Sequence, residues 1–260
     1  MRPPLALTIA AHDPIGGAGV AADLTTFAAF DVHGLVAITA VTAQGLGRVD
    51  AVVPTSSELL RAQLDGLLEL GPIDAVKVGL LLDVAQVELL ADRFEAGDLP
   101  APVVDPVMVT GRGVRFVREE VEQACRARLF PVARVLTPNR AEAALLGGEP
   151  AALRSLGADL VVVTDGAGDG TDLLIDDRGS RTLPTGGWVD TANVRGSGCT
   201  FAAALTAELA RGADTDDAAR SAKRFVEARL RRSADWRFAG PGPLSHGCAG
   251  PQDTSAQSSP

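Results

Sequence analysis

The chain has 260 residues and a formal net charge of −9 at pH 7, with 46% hydrophobic and 22% charged residues. These proportions are those of a folded globular protein and exclude a largely disordered chain. The length suits one α/β domain. The acidic balance argues against a nucleic-acid-binding protein, which would show a basic face.

No apolar run reaches the roughly 18 residues of a membrane span, and the N-terminus lacks the layout of a signal peptide. We therefore expect a cytoplasmic protein that contacts neither membrane nor nucleic acid. Cys125, Cys199 and Cys248 are widely spaced and form no CxxC pair, which excludes a disulfide framework and a structural zinc site.

Lysine is scarce, because only Lys77 and Lys223 stand among the 24 basic residues. A phosphate site in this chain would therefore depend on backbone N–H groups, a helix terminus, a metal ion or arginine.

Apolar runs of strand length alternate with helix-like stretches along the chain. Strands are predicted at 5–10, 35–42, 75–78, 103–104, 133–136 and 160–163, with a hairpin over 173–175 and 181–183. Helices are predicted at 18–30, after an N-cap at Ser56, and at 84–94, 119–129, 140–146, 198–211 and 218–230. This alternation predicts a mainly parallel central sheet with helices on both faces.

We find no internal repeat or linker, so residues 1–246 are predicted to form a single domain. Residues 247–260 are rich in Gly, Ser, Gln and Pro, which is typical of a disordered tail.

The segment from Gly196 through Ser197 and Gly198 to Cys199 directly precedes a predicted helix. Two glycines let backbone N–H groups converge, and the helix adds the positive end of its dipole, which makes an anion hole for a transferring phosphoryl group. The alternative is an ordinary loop with a glycine N-cap. The thiol of Cys199 should have a lowered pKa at this helix terminus and could accept a proton.

A second glycine-rich turn, with Gly17, Ala18 and Gly19, follows the first strand. It is not a dinucleotide site, because GxGxxG and the acidic residue after the second strand are missing, and the chain has no Walker A motif. It is either a close-packed turn or one that lets a flat ligand approach the backbone, with Asp13 capping it. Gln44, at the end of the second strand, could pair with an aminopyrimidine edge, although a surface glutamine is the commoner case.

Oxygen ligands follow the later strands. Asp105, Asn139 and Glu142 suit Mg²⁺, which prefers carboxylates, waters and nucleotide phosphates. The alternative for Glu142 is an acid placed at a helix N-terminus by the dipole.

Six blocks occur in an order that resembles the hydroxymethylpyrimidine/phosphomethylpyrimidine kinases of thiamin synthesis, which have the ribokinase-like α/β fold. The blocks are TIA…GGAG with AADL, ITAVTAQ, VKVGL, VDPVM, LTPN with Glu142, and TANVRGSGCT. The resemblance covers roughly residues 5 to 246.

The resemblance implies transfer of the ATP γ-phosphate to 4-amino-5-hydroxymethyl-2-methylpyrimidine and then to its monophosphate, with Mg²⁺ as cofactor and a homodimeric assembly. It implies the following roles: Gln44, Asp13, Gly17, Ala18 and Val107 at the pyrimidine; Asp105 and Glu142 at magnesium; Asn139, Thr164 and Arg195 at the nucleotide; Gly196, Ser197 and Gly198 as the anion hole; and Cys199 as the base.

The chain departs from the family's usual pattern at several points. Arg195 stands where a histidine is common, and we expect it to add a cation at the phosphates. Thr164-Asp165-Gly166 replaces a Lys-Gly-Gly segment near the nucleotide, Ala11-His12 replaces Gly-Ser before Asp13, and the segment from Thr110 to Gly113 also differs. A pyridoxal or pyridoxine kinase of the same fold and a non-catalytic pyrimidine-binding paralogue remain the alternatives.

Overall fold

The computed structural model describes residues 2–109, 115–165, 169–184 and 186–246. The expectations for the tail at 247–260, for Cys248, for the segment 110–113 and for Gly166 lie outside these residues. None of the helices described is long and apolar enough to cross a membrane.

Among the described residues, nine strands form one sheet in the order β3-β2-β1-β4-β5-β6-β7-β8-β9. The strands are β1 (Leu5–His12), β2 (His33–Gly45), β3 (Arg48–Pro54), β4 (Ala75–Val78), β5 (Val103–Val104), β6 (Val135–Leu136), β7 (Leu160–Val163), β8 (Asp172–Asp176) and β9 (Gly179–Leu183). In this spatial order, each strand from β2 to β7 is parallel to its neighbours within that group. At the two ends of the row the pairing is antiparallel: β3 pairs with β2, β8 with β7, and β9 with β8.

In the part of the chain that the structure describes, eight α-helices cover the sheet. They are α1 (Gly19–Ala29), α2 (Ser57–Leu68), α3 (Val84–Glu95), α4 (Glu119–Ala124), α5 (Arg140–Leu145), α6 (Pro150–Arg154), α7 (Ser197–Ala210) and α8 (Thr215–Ser233). One apolar core lies against α2 and α3, with Leu64 and Leu90 fully buried, and a second lies against α1 and α7, with Phe27 and Leu205 fully buried. The predicted mainly parallel sheet with helices on both faces is therefore confirmed.

The central strands match the sequence prediction most closely, because β4, β5 and β7 are observed at the predicted residues. The sequence analysis missed β3 and α6 and ended β2 too early. The last part of β2 pairs with β3 in an antiparallel hairpin. Strand β3 is almost wholly exposed, so its sequence carries little apolar signal. The helix predicted over 119–129 begins as α4 and continues as a π-helical turn, Cys125–Leu129.

Candidate active site

Apart from residues 195–199, the predicted site residues lie at or just beyond the carboxyl ends of β1, β2, β5, β6 and β7, and these ends share one edge of the sheet. Ligands of open α/β sheets bind outside this edge. Two glycine-rich segments also lie there, and we call residues 13–19 the ring turn and residues 195–199 the anion-hole turn.

The two turns pack directly against each other. Gly196 has a left-handed backbone, with φ of 81°, and a Cβ at this position would collide with the carbonyl oxygen of Gly17. A Cβ at Gly17 would in turn lie 3.1 Å from Cδ of Arg195. Glycine is therefore required at Gly196 both for its backbone conformation and for this close approach.

The N-terminus of α7 is open toward a ligand. Gly196 is the N-cap and has no side chain to cap the helix. The N–H of Ser197 donates to Val194 O at 3.1 Å and that of Thr200 to Gly196 O at 2.8 Å. Within the described residues, the N–H groups of Gly198 and Cys199 have no backbone acceptor, so they can receive an anion.

The prediction that the Cys199 thiol has a lowered pKa is wrong. Burial raises the pKa of this thiol well above its ordinary range, and the carboxylates of Asp105 and Asp23 raise it further, against a partial offset from Lys77. The helix dipole does not outweigh these effects, so without a ligand the thiol is protonated. Any role for Cys199 as a base requires that it first lose this proton.

A fully buried ion pair lies below the site, and the sequence analysis did not identify it. Nζ of Lys77 lies 2.7 and 2.8 Å from the two carboxylate oxygens of Asp23, and both side chains are 0% exposed. The Thr8 hydroxyl donates to the same carboxylate at 2.6 Å. Burial alone would lower the pKa of Lys77, but the negative charge of Asp23, with a further contribution from Asp105, outweighs it and raises the pKa. Lys77 is thus a permanent cation beneath the anion hole.

A sequence signal for this pair was available. Lys77 interrupts the apolar strand β4, and Asp23 stands on the apolar helix α1. A charged residue in each of two buried elements indicates an internal ion pair.

Two acidic side chains, Asp105 and Glu142, lie close together, and Asp105 also lies close to Lys77. One carboxylate oxygen of Asp105, Oδ2, is buried and has no hydrogen-bond partner among the described residues. Burial and the nearby charge of Asp105 raise the pKa of Glu142 to about 8. Burial also raises the pKa of Asp105. An unpartnered carboxylate oxygen next to a second carboxyl group fits a bound divalent cation, which would favour the ionised forms of both.

Glu142 also has the structural role that the sequence analysis left open. Its Oε2 accepts a hydrogen bond from the Asn139 N–H at 3.0 Å, while Asn139 Oδ1 accepts from the N–H groups of Ala141 and Glu142, which completes a capping box. Its Oε1 accepts from the Met108 N–H at 3.1 Å. These bonds hold Glu142 in place at the start of α5.

The remaining predicted residues lie around the same edge. Thr164 forms an isolated bridge with Asn139 at the end of β7, and its N–H donates to Pro138 O at 3.0 Å. Gln44 is half-buried near the tip of the β2–β3 hairpin, and Val107 is half-buried just beyond Asp105. Over the part of the chain that the structure describes, no three His, Cys, Asp or Glu side chains are grouped as in a fully protein-bound metal site.

The predicted capping role of Asp13 is present. Its Oδ1 accepts a hydrogen bond from the Ile15 N–H at 3.0 Å, and its carbonyl accepts from the Gly16 N–H at 3.0 Å. Its second carboxylate oxygen binds Arg195, through Nε at 3.3 Å and Nη2 at 3.2 Å. The sequence analysis had placed Arg195 at the phosphates and had not paired it with Asp13.

Comparison with known proteins bears on this geometry. The model of a family described as phosphomethylpyrimidine kinase matches residues 13–244. A hydroxymethylpyrimidine/phosphomethylpyrimidine kinase of Synechococcus elongatus is 42% identical, over 95% of this chain and 98% of that protein. A pyridoxine kinase of Bacillus subtilis is 37% identical, over 88% of this chain and 90% of that protein.

Solved structures show the same fold. The crystal structure of an ADP complex of Bacillus subtilis pyridoxal kinase has a TM-score of 0.84 and 35% identity, and the match covers 94% of this chain and 98% of that one.

Proposed function

The chain belongs to the phosphomethylpyrimidine kinase family, and from this premise we propose that it phosphorylates 4-amino-5-hydroxymethyl-2-methylpyrimidine with ATP, and then the monophosphate to the diphosphate, in thiamin biosynthesis. The observation that carries the proposal is the direct contact between the ring turn and the open N-terminus of α7. This contact supports placing a small flat alcohol beside a bound γ-phosphate. Membership of a kinase family favours catalysis over the non-catalytic alternative.

On the ring side, we propose that the carboxamide of Gln44 pairs with the amino group and a ring nitrogen of the pyrimidine. This side chain makes no hydrogen bond within the described part of the chain, so both its donors and its acceptor are available. Val107 and the backbone of Gly17 and Ala18 would pack on the ring. Asp13 would act from below, by holding the turn.

On the phosphate side, the N–H groups of Gly198 and Cys199 would receive the transferring phosphoryl group, together with Gly196 and Ser197 in the same turn. Such fixed donors stabilise charge that develops in the transition state. Asn139 and Thr164 would lie along the nucleotide. The Nη1 group of Arg195 is not used by Asp13, and we propose it as a further phosphate contact.

Asp105 and Glu142 would hold Mg²⁺, and the magnesium ion would neutralise phosphate charge during transfer. The unpartnered oxygen of Asp105 supports this assignment. Lys77 would offset the negative charge that remains below the site.

We propose Cys199 as the group that takes the proton of the substrate hydroxyl. Because burial keeps the Cys199 thiol protonated in the free protein, its proton must first be released to solvent. Asp105 does not take it, since the Mg²⁺ ion favours the ionised form of this carboxyl group. The substrate oxygen then bonds to phosphorus as the bond to ADP breaks, and its proton passes to Sγ.

A second candidate substrate is pyridoxal or pyridoxine, because relatives that are kinases of these compounds share up to 37% identity with this chain. Both rings carry a hydroxymethyl group that the same anion hole could serve. The contact that would separate them is Gln44, whose amide suits an aminopyrimidine edge.

The proposed function is tested by product identification. The purified full chain is incubated with ATP, magnesium and either the pyrimidine or pyridoxal, and products are identified by mass spectrometry. We expect the mono- and diphosphate of the pyrimidine, and loss of both with Cys199→Ala. Phosphorylated pyridoxal without any phosphopyrimidine would establish the second candidate, and binding without turnover of either would establish the non-catalytic one.

We also propose a homodimer in the cytoplasm, where ATP is available. The β2–β3 hairpin exposes Val41, Val49 and Val53, and Val41 lies opposite Val53 in the strand pair. A second copy could cover this apolar strip. Analytical ultracentrifugation should give a dimer, and Val53→Asp should give a monomer. A monomeric unmodified protein would refute the assembly.

A further inference from the structure

The ion pair between Asp13 and Arg195 joins residues 182 positions apart. The Asp13 side chain is 3% exposed and the Arg195 side chain 23% exposed. Nε and Nη2 of Arg195 both donate to the same carboxylate oxygen, at 3.3 and 3.2 Å. This is a largely buried pair, so its geometry is constrained more strongly than that of a surface pair.

Each partner belongs to a different half of the site. Asp13 opens the ring turn and fixes its first residues through hydrogen bonds from Ile15 and Gly16. Arg195 directly precedes Gly196, the N-cap of α7. A shift of Asp13 would therefore move the ring turn, and a shift of Arg195 would move the N-terminus of α7. Each effect would pass through only one or a few backbone bonds.

A third segment fixes Arg195 from the other side. Its N–H donates to Gly242 O at 3.1 Å, and it forms an isolated parallel bridge with Pro243. Pro243 also packs against the ring turn, since a Cβ at Gly17 would lie 3.1 Å from its side chain. The arginine is thus held at both its backbone and its guanidinium.

We propose that the Asp13–Arg195 ion pair is a clasp that fixes the distance between the ring turn and the anion-hole turn. Asp13 is then a positioning residue that acts through Arg195. Arg195 helps to place the acceptor hydroxyl against the phosphoryl group, in addition to the phosphate contact proposed for its Nη1. This inference rests on the proposed division of the site into a ring half and a phosphate half. A displacement of about 1 Å between reacting atoms can cost as much as 100-fold in rate.

The test is a double-mutant cycle with Asp13→Asn, Arg195→Gln and the double variant. Asn at position 13 keeps an oxygen for the Ile15 N–H, so the ring turn can still form. Steady-state kcat and KM are measured for ATP and for whichever ring substrate the unmodified protein phosphorylates. If the unmodified protein does not phosphorylate the pyrimidine, the proposed substrate is wrong. The double-mutant cycle can still be measured with the ring substrate that the protein does phosphorylate.

We expect Asp13→Asn to lower kcat at least about 10-fold with KM for ATP changed less than about threefold, and to have less than a twofold effect in the Arg195→Gln background. Arg195→Lys should restore part of kcat, because it keeps a cation but not the two-donor contact. Arg2→Gln is the control. It removes the pair between Arg2 and Asp74, which lies near the amino ends of β1 and β4, and it should leave the kinetics unchanged.

Fold-losses that multiply in the double variant would overturn the clasp, because they would mean that Asp13 and Arg195 act independently on their ligands. An unchanged kcat in Asp13→Asn would overturn it as well. Urea unfolding of each variant shows whether a loss of rate reflects unfolding: a folded variant with low kcat supports the clasp, and a rate loss explained wholly by unfolded protein contradicts it.

Discussion

Two ion pairs flank the anion hole, and they differ in where their cations lie. In the interior pair, Lys77 and Asp23 are both fully buried. In the rim pair, Asp13 is buried, but Arg195 is 23% exposed. The interior pair joins β4 to α1, whereas the rim pair joins two turns, each of which leads into a helix.

This difference separates a stabilising role from a positioning role. A charge buried without its partner costs several kcal/mol, so removal of one member of the interior pair should act on the fold. The partly exposed guanidinium of Arg195 can exchange its hydrogen bonds with water or substrate, so substitution in the rim pair should act mainly on the reaction.

Lys77→Met should lower the free energy of unfolding by about 3–5 kcal/mol, because it leaves the Asp23 carboxylate buried without a partner. Urea denaturation followed by circular dichroism measures this. Arg211→Gln is the control, since it breaks the exposed pair with Glu208 and should cost less than about 1 kcal/mol. Equal losses in the two variants would remove the distinction between interior and exposed pairs.

Gly196→Ala should lower kcat about 100-fold or more, because a Cβ would collide with Gly17 O and move the N–H donors of the anion hole. Rates at saturating ATP measure this. Gly66→Ala is the matched control: it lies within α2, where an added Cβ meets nothing within 4 Å, and it should stabilise the helix by about 0.5–1 kcal/mol with no change in rate. A Gly196→Ala enzyme of normal rate would refute the anion hole.

His246 gives a pH test of the rim. Burial lowers the pKa of His246 to about 4 from 6.5, and its Nε2 has no hydrogen-bond partner in the described residues. Because the unfolded chain binds this proton more readily, stability should be complete above pH 6.5 and should fall as the pH drops toward 4.

The expected loss is about 2 kcal/mol between pH 6.5 and about pH 5. His246→Gln should remove this loss, as measured by urea unfolding at each pH. Parallel pH curves for the variant and the unmodified protein would show that His246 does not titrate with unfolding.

The sequence predicted the parts of the molecule that depend on local pattern. The short central strands β5 and β7 are continuous apolar runs. Gly17 and Gly196 indicate turns whatever residues they contact. Strand β3 was missed because its residues are exposed and form no apolar run. Its pairing with β2 makes it a strand, and this pairing is not visible in the local sequence pattern. The Asp13–Arg195 contact could not be predicted, since nothing in the spacing of residues 182 apart indicates that they meet.

The chemistry of Cys199 shows the same limit. Its place at a helix N-terminus was readable from the sequence and predicts a lowered thiol pKa. Burial beside Asp105 and Asp23 reverses the direction, and burial depends on the tertiary fold. Conversely, Lys77 and Asp23 could have been recognised, because each is a charge within an apolar element.

The most direct test of the account is a competition between the two ring substrates in one reaction. The full chain receives limiting ATP with equal concentrations of the hydroxymethylpyrimidine and pyridoxal, and the ratio of initial phosphorylated products gives the ratio of kcat/KM values. We predict a ratio of at least about 10 in favour of the pyrimidine, falling in Gln44→Leu as the amide contact is lost. A ratio of one or less in the unmodified protein would contradict the account.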